Sequence, residues 1–305
     1  RKVDTISRLG GDEFIILLPE VSKTEDIRII TKKVLRALQK PFIVNGNQLY
    51  ITTSIGACTY PKDGEDMDTL IKNADAAMYK AKEMGGNSCF IYAESISSEI
   101  GERMHLLNEL KGALDKGQFV LDYQPRFNLE TGKINGVEAL IRWEHPKMGR
   151  IPPAKLIPLA EETGMIIPIG EWVLKTVCTL NKTWQDNGLP NIRIAVNISP
   201  RQLQSVDFPT TVKRILHYTG LKPEYLELEI TEAAVRSNLE LCLETINRLK
   251  EIGVCISMDD FGTGYSCLSH IRNQDINILK INPSLFRDLK ENPSDRIITQ
   301  SVISM

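Results

Sequence analysis

The chain has 305 residues, 42% hydrophobic and 25% charged, which is typical of a globular protein with about two domains. Its net charge of −2 gives no overall attraction to nucleic-acid polymers or anionic membranes. No apolar run approaches the roughly 18–20 residues of a membrane-spanning helix. The six scattered cysteines and four histidines lack zinc spacing. Free thiols favour a reducing compartment, so we expect a cytoplasmic location.

The first part of the chain has the pattern of an α+β unit. Predicted strands at Thr5–Leu9 and Glu13–Leu18 flank Gly10-Gly11-Asp12, a hairpin signal because glycine supplies the positive φ of a tight connection. Apolar spacing and β-branched runs predict the other elements. These are two helices, Lys23–Gln39 and Asp68–Met84, and two strands, Tyr50–Cys58 and Ser88–Tyr92.

A connecting helix is predicted over Ala93–Gly117, after which strands and helices alternate. Repeated β-then-α units predict a parallel sheet, either open or closed into a barrel. The predicted strands are Phe119–Tyr123, Gly136–Arg142, Ile192–Asn197, Leu226–Thr231, Val254–Met258 and Ile278–Ile281. The predicted helices are Pro153–Thr163, Ile169–Asn187, Phe208–Thr219, Leu239–Ile252 and a short one near Ser266–Arg272.

Polar side chains recur on these predicted strands or at their ends. They are Glu138 and Arg142 on the second, Asn197 on the third, Glu229 and Glu232 on the fourth, Asp259 and Asp260 on the fifth, and Lys280 on the sixth. Active sites of β/α barrels lie at the carboxyl ends of the strands, so this pattern favours a barrel over an open doubly wound sheet. Each of these residues also has a simpler structural interpretation. Glu138 could form an ion pair with Arg142, Asn197 could be a turn residue, and Lys280 could lie at a solvated strand end.

The residue types point to one chemistry. Adjacent carboxylates such as Asp259 and Asp260 repel each other unless a cation lies beside them, although two solvated loop aspartates are the alternative. Carboxylate and amide oxygens are ligands that suit Mg²⁺ or Mn²⁺. Arginine suits a phosphate oxygen, and lysine can orient a water molecule. Together these groups indicate metal-assisted hydrolysis of a phosphodiester.

Five motifs occur in order along the second half: Tyr123-Gln124-Pro125, Glu138-Ala139-Leu140, Asn197-Ile198-Ser199, Glu229-Ile230-Thr231-Glu232 and Asp259-Asp260-Phe261-Gly262-Thr263-Gly264. With these motifs, the chain from about residue 105 onward resembles the EAL family of cyclic di-GMP phosphodiesterases. The resemblance implies a TIM-type barrel, a two-metal site for Mg²⁺ or Mn²⁺, and linear pGpG as the product.

The resemblance also implies a role for each matching residue. Four residues would hold one metal ion: Glu138, Asn197, Glu229 and Asp259. Asp259 and Asp260 would bridge to a second ion, while Gln124 and Arg142 would bind cyclic di-GMP. Lys280 would position the attacking water beside the catalytic Glu138, and Glu232 would steady the loop that follows Asp260.

The first half resembles the C-terminal portion of a GGDEF diguanylate cyclase domain. Gly10-Gly11-Asp12-Glu13-Phe14 matches the family hairpin, in which Asp12 and Glu13 would serve metal and GTP binding. Arg1 and Asp4 have the spacing of the family's inhibitory product site. We therefore expect a GGDEF portion over 1–94, a linker over 95–104 and a truncated EAL domain over 105–305, in a protein that forms a homodimer.

Three departures from the family pattern bear on activity. The GGDEF portion lacks its upstream half, and the barrel has about six of eight expected units, so we expect this fragment alone to be inactive. Lys280-Ile281-Asn282 replaces the usual Lys-Ile-Asp, and the lost carboxylate should weaken metal binding. Two hypotheses follow. In the first, the longer parent protein is a phosphodiesterase whose GGDEF domain also makes cyclic di-GMP or regulates hydrolysis. In the second, the protein is a catalytically silent receptor of cyclic di-GMP or GTP. A membrane anchor upstream is compatible with both.

Overall fold

The computed structural model describes residues 3–21, 23–261 and 276–283. The chain divides into two compact units, Arg1–Leu106 and Leu107–Met305. Helix α3, Glu94–Ala113, contains the division between them. The domain limits at 94 and 105 stay predictions. No described helix is long and apolar enough to cross a membrane.

The described part of the first unit contains the predicted GGDEF hairpin, two further strand pairs, two complete helices and the first part of α3. The hairpin consists of β1 (Thr5–Gly10) and β2 (Glu13–Leu17), which pair antiparallel. The remaining elements are α1 (Thr24–Leu38), the antiparallel pair β3 (Phe42–Val44) and β4 (Asn47–Leu49), the parallel pair β5 (Ile55–Ala57) and β6 (Cys89–Ile91), and α2 (Met67–Glu83).

The main difference from the sequence prediction in this unit is the region before α2. The strand predicted over Tyr50–Cys58 is confined to β5, and the β3–β4 hairpin was not predicted. The signal for this hairpin is Asn45-Gly46, whose φ values of 51° and 81° are both positive. Asn-Gly favours tight hairpin turns because both residues tolerate this backbone conformation.

Helix α2 packs directly on β5 at Gly56. A Cβ at position 56 would lie inside contact distance of the Ala74 carbonyl oxygen and the Met78 amide nitrogen, both backbone atoms. Ala77 and Ala81 on α2 are fully buried. The glycine therefore permits the close approach of helix and strand.

We expect Gly56→Ala to lower the free energy of unfolding by about 1–3 kcal/mol, because the helix backbone must move to admit the methyl group. Urea denaturation followed by circular dichroism measures this change. Gly101→Ala is the matched control, since a Cβ built at this helical glycine has no heavy atom within 4 Å apart from its chain neighbours and the adjacent backbone of its own helix. Equal stability of the Gly56→Ala and parent proteins would contradict the packing argument.

The second unit is built on a mixed sheet. Its strands are β7 (Phe119–Phe127), β8 (Ile134–His145), β9 (Gly149–Ile151), β10 (Arg193–Asn197), β11 (Leu226–Thr231), β12 (Cys255–Phe261) and β13 (Ile278–Ile281). The order is β13-β12-β11-β10-β8-β7, and β9 pairs with β8. From β8 through β10, β11 and β12 to β13, this path is parallel.

The prediction of a parallel sheet is wrong for β7, which runs antiparallel to β8. The connection between these strands is short, and the Asn128 side chain accepts hydrogen bonds from the Glu130 and Thr131 amides. Antiparallel strands can be joined by such a turn, whereas parallel neighbours need a long crossover. Gln124 is therefore not at the carboxyl end of a parallel strand.

Helices follow most of the parallel strands. They are α4 (Pro153–Thr163), α5 (Ile166–Asp186), α6 (Pro200–Leu203), α7 (Phe208–Thr219), α8 (Glu232–Ser237) and α9 (Leu239–Ile252). The short α6 and α8 were not predicted. Ser199 and Thr231 cap them through side-chain oxygens that accept backbone N–H groups. The helix predicted near Ser266–Arg272 lies outside the described residues.

Strand β11 shows how the sheet presents its polar groups. Leu226, Leu228 and Ile230 alternate with Glu227 and Glu229, so the two sets lie on opposite faces. All five residues are buried. A buried face that carries two glutamates requires cationic partners, because an unpaired charge away from water is costly.

Candidate active site

Four adjacent parallel strands bring the predicted first-metal ligands to one place. Asn197 on β10 is in register with Glu229 on β11, and Glu138 on β8 lies beside β10. The Asn197 Nδ2 donates to Glu138 Oε1 at 2.8 Å. Asp259 on β12 is in register with Thr231, two residues beyond Glu229. The ligand set assigned from the resemblance is therefore spatially contiguous.

Lys280 on β13 lies among the three carboxylates of this set. Its Nζ donates to Glu229 Oε2 at 2.6 Å and to Glu138 Oε2 at 2.9 Å. The same Nζ is 3.8 Å from Asp259 Oδ2. The ammonium group occupies a position where the carboxylate oxygens converge, so this position suits a cation.

The pKa values reflect this crowding of charges. Burial raises the pKa of Glu229 to about 7, although the hydrogen bond from Lys280 opposes the increase. Burial also acts to raise the pKa of Glu138, but hydrogen bonds from Lys280 and Asn197 outweigh it and hold the pKa below its ordinary value. Burial acts to lower the pKa of Lys280, but its hydrogen bonds to Glu229 and Glu138 raise it overall. The lysine is therefore a cation.

Glu229 also has an oxygen with unused acceptor capacity. Its Oε1 is buried and accepts no hydrogen bond from the described residues. Arg126 Nη1 lies 3.6 Å from this oxygen, which is beyond ordinary hydrogen-bond distance. An orphan carboxylate oxygen, two further carboxylates and an amide oxygen make a donor set that fits Mg²⁺ or Mn²⁺.

Asp259 and Asp260 have different surroundings although they are adjacent. Asp260 has a φ of 55°, and the pairing of β12 with β13 changes register between Met258 and Phe261. Asp tolerates this left-handed conformation better than most residues. Asp260 Oδ1 accepts a hydrogen bond of 2.7 Å from Asn282 Nδ2. The predicted loop Gly262–Gly264 lies outside the described residues.

The two predicted substrate-binding residues lie on the antiparallel pair β7–β8. Gln124 is exposed and in register with Glu138. Arg142 Nε forms an ion pair of 2.9 Å with Asp122 Oδ2, which Arg150 Nη1 also approaches at 3.0 Å. Asp122 was not predicted from the sequence. Its alternation with Gln124 along β7 was the available signal.

Glu232 is the first residue of α8 and is 3% exposed. Neither of its carboxylate oxygens has a hydrogen-bond partner among the described residues. The loop that it was predicted to steady lies outside this part of the chain. Its burial directly after β11 places a second unsatisfied carboxylate near the strand end.

Sequence reasoning also missed the ion pair between Arg126 and Glu227. The guanidinium donates to both carboxylate oxygens, at 2.7 and 2.6 Å. Each partner lies two residues from a predicted site residue, Gln124 or Glu229, and so shares its strand face. This spacing was the signal that could have identified the pair.

The GGDEF hairpin is a separate candidate site in the first unit. Gly11 has a φ of 55°, and Arg8 fixes the turn by donating to the Gly11 carbonyl oxygen from Nε at 2.9 Å and Nη2 at 2.5 Å. Asp12 and Glu13 are exposed. Asp4 precedes β1, whereas Arg1 lies outside the described residues, so the predicted product site stays a prediction.

Similar proteins are known from several bacteria. The bifunctional diguanylate cyclase/cyclic di-GMP phosphodiesterase MucR of Pseudomonas aeruginosa is 38% identical over 305 residues, which are 100% of this chain and 44% of MucR. The cyclic di-GMP phosphodiesterase PdeR of Escherichia coli K12 is 33% identical over 98% of this chain and 45% of its own length. The chain thus spans less than half of these curated relatives.

Solved structures have a similar fold over about two thirds of the chain. The PaMucR phosphodiesterase in complex with c-di-GMP has a TM-score of 0.62 and 39% identity, covering 66% of this chain and 81% of that chain. The cGMP-bound EAL enzyme Bd1971 has a TM-score of 0.61 and 29% identity, and the match covers 68% of this chain and 58% of that chain. These likenesses confirm the predicted TIM-type barrel family.

Two family models match the chain. Residues 1–88 match the diguanylate cyclase GGDEF domain, and residues 107–305 match the EAL domain. The second match covers more than half of the chain and contains the whole candidate site described above. The chain therefore belongs to the EAL family, and a GGDEF domain precedes its EAL domain.

Proposed function

We propose that the protein acts in cyclic di-GMP signalling and that its EAL domain hydrolyses cyclic di-GMP to linear pGpG. The observation that supports this most directly is the convergence of Glu138, Glu229 and Asp259 on the single ammonium of Lys280. Relatives that match nearly the whole chain are named cyclic di-GMP phosphodiesterases. A cation-binding acid cluster in this family suits cleavage of a phosphodiester.

EAL domains are metal-dependent. We infer that four residues hold one divalent cation, namely Glu138, Asn197, Glu229 and Asp259, and that Asp259 and Asp260 share a second. Bound Mg²⁺ or Mn²⁺ would neutralise the phosphodiester charge and favour attack by water at phosphorus. The orphan Glu229 Oε1 supports this assignment, since it is a buried acceptor with unused capacity.

The protein groups have separate tasks in this proposal. Arg142 and Gln124 bind the substrate, and Lys280 orients the water that attacks phosphorus. A new oxygen–phosphorus bond forms, the bond from phosphorus to a ribose 3′ oxygen breaks, and that oxygen gains a proton. Glu138 holds Lys280 in place through its 2.9 Å hydrogen bond. Glu232 steadies the chain beyond Asp260.

Because the fragment alone is expected to be inactive, chromatography of the full-length protein after incubation with cyclic di-GMP and Mg²⁺ or Mn²⁺ tests the proposal, and the activity measurements below use the same protein. We expect pGpG to accumulate in the presence of the metal and not in the presence of a chelator. Asp207→Asn should retain activity, because Asp207 is an exposed residue directly before α7 whose side chain makes no capping hydrogen bond. If the protein binds cyclic di-GMP but forms no pGpG, the result would contradict the proposed phosphodiesterase activity and would support a receptor function.

A receptor is the second candidate function, and Asn282 is the observation that favours it. Its amide already satisfies Asp260 Oδ1 without a metal ion. A carboxylate at position 282 would instead repel Asp260 and would strengthen cation binding between them. The receptor would bind cyclic di-GMP through Arg142 and Gln124 and would signal through its other domains.

We expect Asn282→Asp to increase pGpG formation about tenfold at limiting Mn²⁺, because a carboxylate beside the proposed ligand Asp260 strengthens metal binding. The same change should lower the melting temperature in the absence of metal, since Asp260 loses its hydrogen-bond donor and gains a like charge. Rates measured over a range of Mn²⁺ concentrations separate metal affinity from turnover. An unchanged Mn²⁺ dependence would show that this position does not affect the site.

The GGDEF domain and the assembly are also part of the proposal. We infer that the Gly10–Glu13 hairpin binds GTP in the longer protein, where the domain makes cyclic di-GMP or regulates hydrolysis. A homodimer and a cytoplasmic location are expected as well. The five cysteines in the described part are free thiols, which is consistent with a reducing compartment. Light scattering of the purified protein tests the homodimer.

A further inference from the structure

A buried ion pair lies beside the candidate metal ligands. Arg126 on β7 and Glu227 on β11 are joined by two hydrogen bonds of 2.7 and 2.6 Å. The Glu227 side chain is 0% exposed, and that of Arg126 is 25% exposed. Two parallel N–H···O bonds fix the guanidinium plane more firmly than a single contact does. The position of Arg126 is therefore set mainly by Glu227.

The neighbouring strand leaves room for this guanidinium at Gly136. Gly136 on β8 is in register with Arg126, and a Cβ built there would lie 2.9 Å from Arg126 Nη2. It would also lie 3.1 Å from the carbonyl oxygen of Arg193. Any larger residue would displace the guanidinium or the backbone. The absence of a side chain at Gly136 therefore leaves space for the Arg126 guanidinium in its ion pair with Glu227.

Arg126 is also close to a candidate metal ligand. Its Nη1 is 3.6 Å from Glu229 Oε1, the buried oxygen that accepts no hydrogen bond from the described residues. A typical N–H···O distance is about 2.9 Å, so a shift of roughly 0.7 Å would let Arg126 donate to Glu229. The two bonds to Glu227 oppose this shift. Glu229 Oε1 consequently remains available to another cation.

We propose that Glu227 is a positioning residue that holds Arg126 away from Glu229, so that Glu229 Oε1 can bind the divalent cation. This inference rests on the proposed function. Without Glu227, the guanidinium and the metal ion would compete for the same oxygen. In this proposal Glu227 is not itself a ligand of the metal ion, and it acts through the position of Arg126.

Single and double variants distinguish this role from a purely structural ion pair. Glu227→Gln should release Arg126 and weaken Mn²⁺ binding by about 10- to 100-fold, as loss of an outer-shell partner does. Arg126→Gln removes the competitor, so its Mn²⁺ affinity should equal or exceed that of the parent. The double variant should bind Mn²⁺ within about threefold of the parent. A structural pair predicts the same effect for both single variants.

Mn²⁺ dissociation constants are measured by electron paramagnetic resonance of the free ion, with thermal unfolding as the test of folding. Unchanged Mn²⁺ binding by Glu227→Gln, or a double variant as weak as Glu227→Gln, would overturn the inference. If Glu227→Gln does not fold, weaker binding by Arg126→Gln than by the parent overturns it, and equal or stronger binding supports it. If the unsubstituted protein binds Mn²⁺ but makes no pGpG, only the proposed phosphodiesterase activity is contradicted. The Mn²⁺ dissociation constants of the variants still decide the role of Glu227.

Discussion

Glu229→Gln should reduce pGpG formation by at least about 100-fold, because loss of even an outer-shell partner typically costs 10- to 100-fold in metal affinity or activity. Glu229 is a proposed ligand itself and is fully buried between Lys280 and Arg126. The amide removes a negative charge from between these two cations, and its NH₂ group cannot accept hydrogen bonds. Metal binding and hydrolysis should therefore fall together.

Two measurements check this result. Mn²⁺ titration gives the dissociation constant, and chromatography gives the rate of pGpG formation at saturating metal. Glu240→Gln is the matched control, because Glu240 is an exposed glutamate in the first turn of α9. A Glu229→Gln protein that binds Mn²⁺ as tightly as the parent would remove Glu229 from the proposed ligand set.

Much of the fold of the second half is predictable because its periodic signals are strong. The limits predicted for α4, α7, α9, β11 and β13 agree with the structure. The direction of β7 was not predictable from periodicity, since an alternating strand has the same pattern in either direction. The short turn at Asn128 decides the direction of β7, and the repeated β-then-α pattern contains no information about this turn.

The polar residues of the site were predictable, including Asn197 and Lys280, but several of the contacts around them were not. Strand-end carboxylates indicate a metal site without three-dimensional information, because like charges need a cation. The hydrogen bond from Asn282 to Asp260 and the ion pair from Arg126 to Glu227 join residues that are distant in sequence. Such contacts depend on register, which a single sequence specifies weakly. The missing information is therefore long-range pairing and not local structure.

These contacts give the acid cluster two built-in cations with different tasks. Lys280 contacts three proposed ligands directly, whereas Arg126 is held by Glu227 at a greater distance from Glu229. Removing a cation should strengthen metal binding, because it leaves more uncompensated negative charge. Only removal of the cation that orients water should also stop hydrolysis. Lys280 is the residue for which the two effects should separate.

Lys280→Met should lower the rate of pGpG formation by about 10²- to 10⁴-fold, which is the range for loss of a group that handles the reacting proton or water. Its Mn²⁺ affinity should be equal to or greater than that of the parent, because the ammonium no longer competes for Glu138 and Glu229. Without metal, the protein should melt at a lower temperature, since buried Glu229 loses its partner. Added Mn²⁺ should restore much of this loss.

The opposite directions of binding and turnover make this variant more informative than a simple loss of activity. Lys213→Met is the control, because Lys213 is an exposed lysine on α7. Weaker Mn²⁺ binding in Lys280→Met would mean that the lysine supports the ligand geometry and does not compete with the metal. Undiminished hydrolysis would mean that another group orients the water. Retained binding with lost turnover assigns Lys280 to the chemical step, since the carboxylates alone then suffice to hold the metal.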